Sequence, residues 1–359
     1  MRKHYLDNIR FSTVLLVLVY HVFYLFNHAG VLGNVMPLQG TAYMDGLLYF
    51  VYPWFMVLLF VVAGASSRYA LEHRGTKQFM KDRACKLLVP STLGLFVYQW
   101  IGGYLNLLNS GVLGEIPSPL HYLIAVLSGT GPLWFIQMLF LFLAILLLVR
   151  KLDASDKLWT LCGKANLVIL LLLSVLIWGS AQILNAPVIT TYRFGIYLIA
   201  FMLGYFFFSH DEIIERLEKA GIPLVIVAIA MGIAYVIYFF GSNYASDECL
   251  KSLFTNMYLW ITVLAIFAGA KKWFNTQTSL TAFLSQRSFG WYIVHYPIVL
   301  FACYMLAHYT KLPALLIYLS ALLFELIVTY LVYEILSRIP VIRFLTLGIK
   351  KKADLRIQK

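Results

Sequence analysis

Charged residues are scarce in this 359-residue chain, at 12% for Asp, Glu, Lys and Arg together, too few for the surface of an ordinary soluble enzyme. Acidic residues are rarer still, 16 against 28 basic, for a formal charge of +12. Polar stretches long enough to fold as a separate domain are missing, which also excludes a nucleic-acid-binding module, a disordered tail or a coiled coil. Cysteines number only four. None sits beside a His or another Cys at metal-ligand spacing, so no metal site is expected. Cys249 alone is expected on the outer side, which leaves no partner there for a disulfide. No internal repeat of the kind many transporters show is visible. What fills the chain is apolar: 61% hydrophobic residues and a mean hydropathy of +0.81, with runs of about twenty apolar residues recurring throughout.

These runs fall at about 9–27, 46–66, 87–105, 132–149, 166–184, 193–208, 223–240, 252–270, 289–307 and 313–335, each near the length that a ~30 Å hydrocarbon core requires. The fold expected is all-α and polytopic, with about ten transmembrane helices and both termini cytoplasmic. That orientation puts every Lys and Arg on the inside except Arg193, Lys251 and Lys311, as the positive-inside bias demands. A cleaved signal ending near Asn27 to Gly30 would leave nine spans and reverse this logic for every later loop, so none is expected. Residues 1–345 read as a single integral membrane domain and 346–359 as a basic cytoplasmic tail.

Pro132, Pro223 and Pro313 sit at first helical turns, where a missing N–H costs little, whereas Pro53, Pro90 and Pro297 lie within spans and should free carbonyls. The outside connection from about 106 to 131 is the longest polar one on its face. It reads equally as an irregular link or as a cover over a site.

Ionisable groups within a span are costly and so mark functional sites by default. In the first span Asp7, Arg10 and His21 share one helical face, Arg10 and His21 being about 20° apart in azimuth and roughly 16 Å apart in height. Arg10 also serves as an interfacial anchor paired with Asp7. His21, expected near mid-membrane, needs a partner or a wet cavity. His295, two residues before Pro297 in the ninth span, reads as either a ligand-handling group or an imidazole satisfied by a freed carbonyl. Trp134 reads as an interfacial aromatic anchor. Arg83 and Lys86, three residues apart at the start of the third span, stack two cations at the interface. They suit a phosphate clamp, Arg by its fork and Lys as a point charge, with anionic lipid head groups as the rival ligand.

Four segments together resemble the acyltransferase-3 family of membrane-bound bacterial acyltransferases. Leu6-Asp7-Asn8-Ile9-Arg10 followed by His21 is similar to the family's basic residue, ten positions, then His. The stretch from Phe79 to Pro90, with its two basic residues three apart, resembles a second block, and Leu133-Trp134-Phe135 and Ser288 to Pro297 resemble two more. The resemblance covers all ten spans. Lys86 departs from it, standing where relatives commonly have Arg, and Ala63-Gly64-Ala65 stands where they often have Ser before Gly. No extracytoplasmic hydrolase-like domain follows the tenth span, so one domain is expected to bind both substrates.

The resemblance implies acyl transfer from cytoplasmic acyl-CoA, acetyl-CoA foremost, to a hydroxyl of an envelope glycan or other small acceptor, in a multi-pass protein of a bacterial cytoplasmic membrane. No cofactor is expected to be bound permanently. Arg83, Lys86 and Arg10 would meet the polyanionic CoA head, with Asp7, Trp134 and His295 as further substrate contacts. His21 and Arg10 would be the catalytic residues, His21 as the base, since burial favours neutral imidazole; a covalent acyl-histidine is the other route. Two other classes fit the intramembrane His and Arg: a proton-coupled secondary transporter, and a haem protein using His21 and His295 as axial ligands. The acceptor, the acyl chain and the oligomeric state are not legible.

Overall fold

The structure is a computed structural model that describes residues 3–187 and 191–350. Arg2, Lys351, Lys352, Arg356 and Lys359 of the expected cytoplasmic charge map, and the end of the basic tail, lie outside the described residues. Each of the ten apolar stretches is helical. In chain order they are α1 (His4–Leu25), α2 (Ala42–Glu72), α3 (Thr76–Asn109), α4 (Gly131–Leu152), α5 (Leu167–Ser180), α6 (Phe194–Phe206), α7 (Gly221–Phe239), α8 (Leu253–Trp273), α9 (Ser279–Tyr309) and α10 (Ala314–Arg338). The chain is an all-α polytopic membrane protein.

Length qualifies the count of ten. Among the described residues eight helices are long and apolar enough to cross a membrane, and a ninth results if α6 is joined to Asp211–Lys219, which bends from it by 102°. At 14 residues, α5 spans roughly 21 Å, less than a hydrocarbon core. Its ends nonetheless sit on opposite faces. Arg216 donates to the carbonyls of Gly163 and Ala165 before its start, and Trp178 and Gln182 donate to the Lys251 carbonyl at its end.

Polar contacts sort the connections into two faces as the charge pattern requires. On one face Lys3 pairs with Asp211 at 2.6 Å, Arg68 with Glu72 and Asp156, and Arg287 with Glu334. On the other Asn109 reaches the Asn34 carbonyl, Asn243 that of Gly30, and Arg193 that of Leu250. The first is called the basic face below. Arg193 ends a two-strand hairpin of β1 (Asn185–Pro187) and β2 (Thr191–Arg193) on the opposite face.

The prolines act as expected. α2 breaks between a helical turn at Gly46–Val51 and a long segment, Phe55–Glu72, with Pro53 in the break. In α3 a wide π turn at Ala84–Leu88 precedes Pro90, and a second follows at Leu95–Gln99. The connection from 106 to 131 is not irregular: helix His121–Ser128 folds back along α3, with Gly103 and Gly129 against the Ala125 and Gln99 carbonyls. α2 and α6 touch backbone to backbone. A Cβ on Gly64 would strike the Phe201 carbonyl, and one on Gly204 that of Val61, the small-residue contact by which membrane helices approach closely.

Two amphipathic helices line the basic face. Asp211–Lys219 buries Ile213, Ile214 and Leu217. Pro340–Leu347 packs on α3, its αL residue Gly348 lying against the backbone of Cys85 and Lys86. The residues from 346, read as the start of a tail, thus begin inside this helix.

Candidate active site

Two histidines, from the first and ninth helices, meet where α1 packs on α9. His295 Nε2 lies 3.3 Å from His21 Nδ1, the ring centroids being 5.0 Å apart. His21 Nδ1 is also 2.8 Å from the Val17 carbonyl, and His295 Nδ1 is 2.8 Å from that of Tyr292. A carbonyl only accepts, so both Nδ1 atoms carry hydrogen. The Nε2 of His295 is then a lone pair facing the His21 Nδ1–H, and the Nε2 of His21 is a second lone pair, available as a base. His295 is fully buried while His21 keeps partial exposure.

Pro297 explains how the ninth helix holds this pair. Its missing N–H leaves the Ile293 carbonyl without its helical donor. Gln99, at the end of the second π turn of α3, donates to that oxygen at 2.6 Å, and Tyr98 donates to the Val294 carbonyl at 2.9 Å. The freed carbonyl therefore serves the α3–α9 contact, and His295 bonds Tyr292 one turn earlier instead. Gln99 and Tyr98 were not among the residues expected from the sequence. A polar pair at a wide turn, level with an intramembrane proline, was the signal.

Aromatic rings enclose His21 on several sides. Tyr20, Tyr24 and Tyr296 stand edge-on to it, with centroids 5.5, 6.1 and 5.5 Å away. Trp134 stacks on Tyr197 at 5.3 Å and meets Tyr192 of the hairpin at 5.4 Å. It is a member of a ring cluster at the start of α4, where the sequence suggested an interfacial aromatic anchor. Tyr192 is in turn an electrostatic neighbour of Tyr24 and Tyr296.

The cations collect at the other end of α1. Arg10 donates to Asp7 at 2.6 Å and to Ser285 of α9 at 3.4 Å. Arg83 and Lys86 have Arg10 and Arg74 as electrostatic neighbours, so the structure groups four basic side chains. A π turn at Ala84–Leu88 begins after Arg83 and includes Lys86. Arg83 lies over the Phe79 ring at 5.1 Å and Lys86 over Phe289 of α9 at 4.9 Å. Helical rise separates Arg10 from His21 by roughly 16 Å. α1 ends at Leu25, so His21 lies one turn from the opposite end of α1, not at its middle. Ala63 and Gly64 offer no hydroxyl here; Gly64 is spent on the α2–α6 contact.

A cleft of about 600 Å³ between α3, α9 and α10, walled by Tyr98, Trp100, Tyr104, Pro297, Phe301 and Phe324 among others, is almost wholly apolar. It occupies a different face of α9 from His295. Among the described residues no group of three or more His, Cys, Asp or Glu could hold a metal ion.

The chain is 25% identical over 394 aligned positions to glucans biosynthesis protein C of Escherichia coli O139:H28 (strain E24377A / ETEC) and to that of Shigella boydii serotype 4 (strain Sb227), covering 98% of this chain and 97% of each relative. No solved structure matches. Residues 3–334 match the acyltransferase-3 family, described as an acyltransferase domain; the chain belongs to that family and is a multi-pass membrane acyltransferase.

Proposed function

We propose that this acyltransferase takes an acyl group from acyl-CoA at its basic face and transfers it to a hydroxyl of a glycan, with His21 as general base. The observation that carries the reading is the geometry of the histidine pair, from which the tautomer follows. Two carbonyls hold both Nδ1–H groups, leaving the His21 Nε2 lone pair to take the acceptor's proton as its oxygen attacks the thioester carbonyl; the C–S bond then breaks and the departing CoA thiolate takes that proton to leave as the free thiol. His295 accepts from His21 Nδ1–H and so orients the ring, the part that the third member plays in a catalytic triad.

The four cations around Arg83 support a polyanionic donor, since CoA carries phosphates that Arg binds bidentately and Lys as a point charge. The long pantetheine arm would run along the α1–α9 contact toward His21. The orientation with the basic face in the cytoplasm follows from the positive-inside bias, and the cytoplasmic membrane is where that bias operates. A glycan acceptor is supported by the relatives' name and by the tyrosine and tryptophan rings beside His21, flat surfaces with hydroxyl handles that suit a sugar. Acetyl is the acyl group proposed. Neither a permanently bound cofactor nor a nucleic acid is required.

The test is transfer from radiolabelled acetyl-CoA to membrane glycans by the purified protein in liposomes. Wild type should transfer label and His21→Ala should not, while running as the same folded species by size exclusion. Full transfer by that variant would sink the general-base role.

A further inference from the structure

The buried face of α10 carries a second ionisable group that the reaction above does not use. Glu325 is fully buried in the run Leu322-Leu323-Phe324-Glu325-Leu326-Ile327-Val328, and neither carboxyl oxygen has a hydrogen-bond partner among the described residues. The hydroxyls of Thr329 and Tyr318, at 1% and 2% exposure, are also buried and without partners. Tyr318, Glu325, Thr329, Tyr333 and Ser337 all belong to the buried side of α10. From Glu325 onward they recur every fourth residue, so they climb one face toward the basic end of the protein.

Among the described residues the groups around Glu325 offer it no counter-charge. From α9 the neighbour is the buried thiol of Cys303. From α1 the rings of Phe23 and Phe26 pack on Tyr318. Further along, Arg287 is paired with Glu334, and Arg343 donates to the Ser337 and Lys350 carbonyls. An isolated carboxylate in such surroundings is prohibitively costly, and a bound proton removes the charge. Ser337 Oγ donates to the Glu334 carbonyl at 3.0 Å. Cβ atoms four residues apart on a helix are about 6 Å apart, so polar groups there can be joined through a bridging water. Such a water would also supply the partners that Thr329 and Glu325 lack.

We propose that Glu325 is a proton-binding site inside the membrane, loaded and unloaded from the basic face along the Ser337, Tyr333 and Thr329 hydroxyls. The step is a simple exchange: a proton from water at that face neutralises the carboxylate and returns the same way, with no bond broken elsewhere. It stands apart from the acyl-transfer reading and survives if that reading fails.

Infrared spectroscopy of the full-length protein in nanodiscs tests it. Wild type at neutral pH should show a protonated-carboxyl C=O band that fades at alkaline pH and is missing in Glu325→Gln. A wild-type carboxylate at neutral pH, or an acid band retained in Glu325→Gln, overturns the site. So does a band removed by sodium at fixed pH, which would make the ligand a metal cation. Should Glu325→Gln not fold, Glu325→Asp must shift the band, and an unshifted band assigns it elsewhere. In Thr329→Val, hydrogen–deuterium exchange of the band should slow several-fold; unchanged exchange overturns the route.

Discussion

His295 Nε2 accepts from the Nδ1–H of His21 at 3.3 Å, while each imidazole also donates from Nδ1 to a carbonyl of its own helix. The pair is therefore directional: His295 orients, and His21 presents its free lone pair. Removing the acceptor in His295→Ala should lower kcat by roughly 10–100-fold, the usual scale for losing a group that orients a working histidine. KM for the donor should stay near its wild-type value. His295→Gln, whose amide oxygen also accepts, should recover part of the loss. Steady-state kinetics of the three proteins decide it, and equal kcat for Ala and Gln would assign His295 a packing role only.

The basic cluster calls for a different signature. Arg83 is grouped with Arg10 and Arg74 about 16 Å of helical rise from the histidines, too far to touch the reacting carbonyl. Arg83→Ala should raise KM for acyl-CoA about tenfold, equivalent to about 1.4 kcal/mol of binding, with kcat little changed. Arg83→Lys should fall between, because it keeps the charge and loses the fork. A drop in kcat at unchanged KM would place Arg83 in the chemistry and the donor's phosphates elsewhere.

Gln99 holds a backbone oxygen that proline has stripped of its donor, so its role is structural and should show in stability. Gln99→Leu leaves the Ile293 carbonyl buried without its partner, a cost of about 1–3 kcal/mol. Thermal unfolding in detergent should shift downward, and His295, two residues further on, should lose its alignment, lowering kcat as well. Gln99→Glu, which cannot donate when ionised, should be no better than Leu. Unchanged unfolding temperatures in both variants would mean that another donor serves Ile293.

These features differ in how far the sequence discloses them. Helix count and alternation are legible because hydropathy and the Lys and Arg distribution obey constraints that act along the chain, without reference to packing. Span length is less so: α5 is apolar from 166 to 184, yet its helix covers only Leu167–Ser180, because Ala181–Leu184 turn into the hairpin that carries Arg193. The shared face of Asp7, Arg10 and His21 follows from helical period alone. That His21 meets His295 does not, since the azimuth of one helix against another is set by packing, and it took the structure to join them. The π turn at Ala84–Leu88 departs from the α-helical period on which the spacing of Arg83 and Lys86 was read. Glu325 is legible as a single charge within an apolar run, but no motif around it assigns it a role.

The α2–α6 contact separates two residues that sit side by side in the sequence. Ala63 is half-buried, its carbonyl accepting from Ser67. Ala63→Ser should therefore be tolerated, with unfolding temperature and activity close to wild type. Gly64 has no such freedom. Its Cα faces the Phe201 carbonyl and the Tyr205 amide, and the obstruction is backbone, which cannot step aside as a flexible side chain can. Gly64→Ala should push α2 and α6 apart at about 1–3 kcal/mol, the usual cost of overpacking, and lower the unfolding temperature. Because Phe60 on α2 and Tyr197 on α6 stack at 4.9 Å and Tyr197 stacks on Trp134, the same shift should disturb the ring cluster and reduce transfer. Thermal unfolding and transfer measured on both variants test the claim, and a Gly64→Ala protein as stable as Ala63→Ser would show that the helices do not touch there.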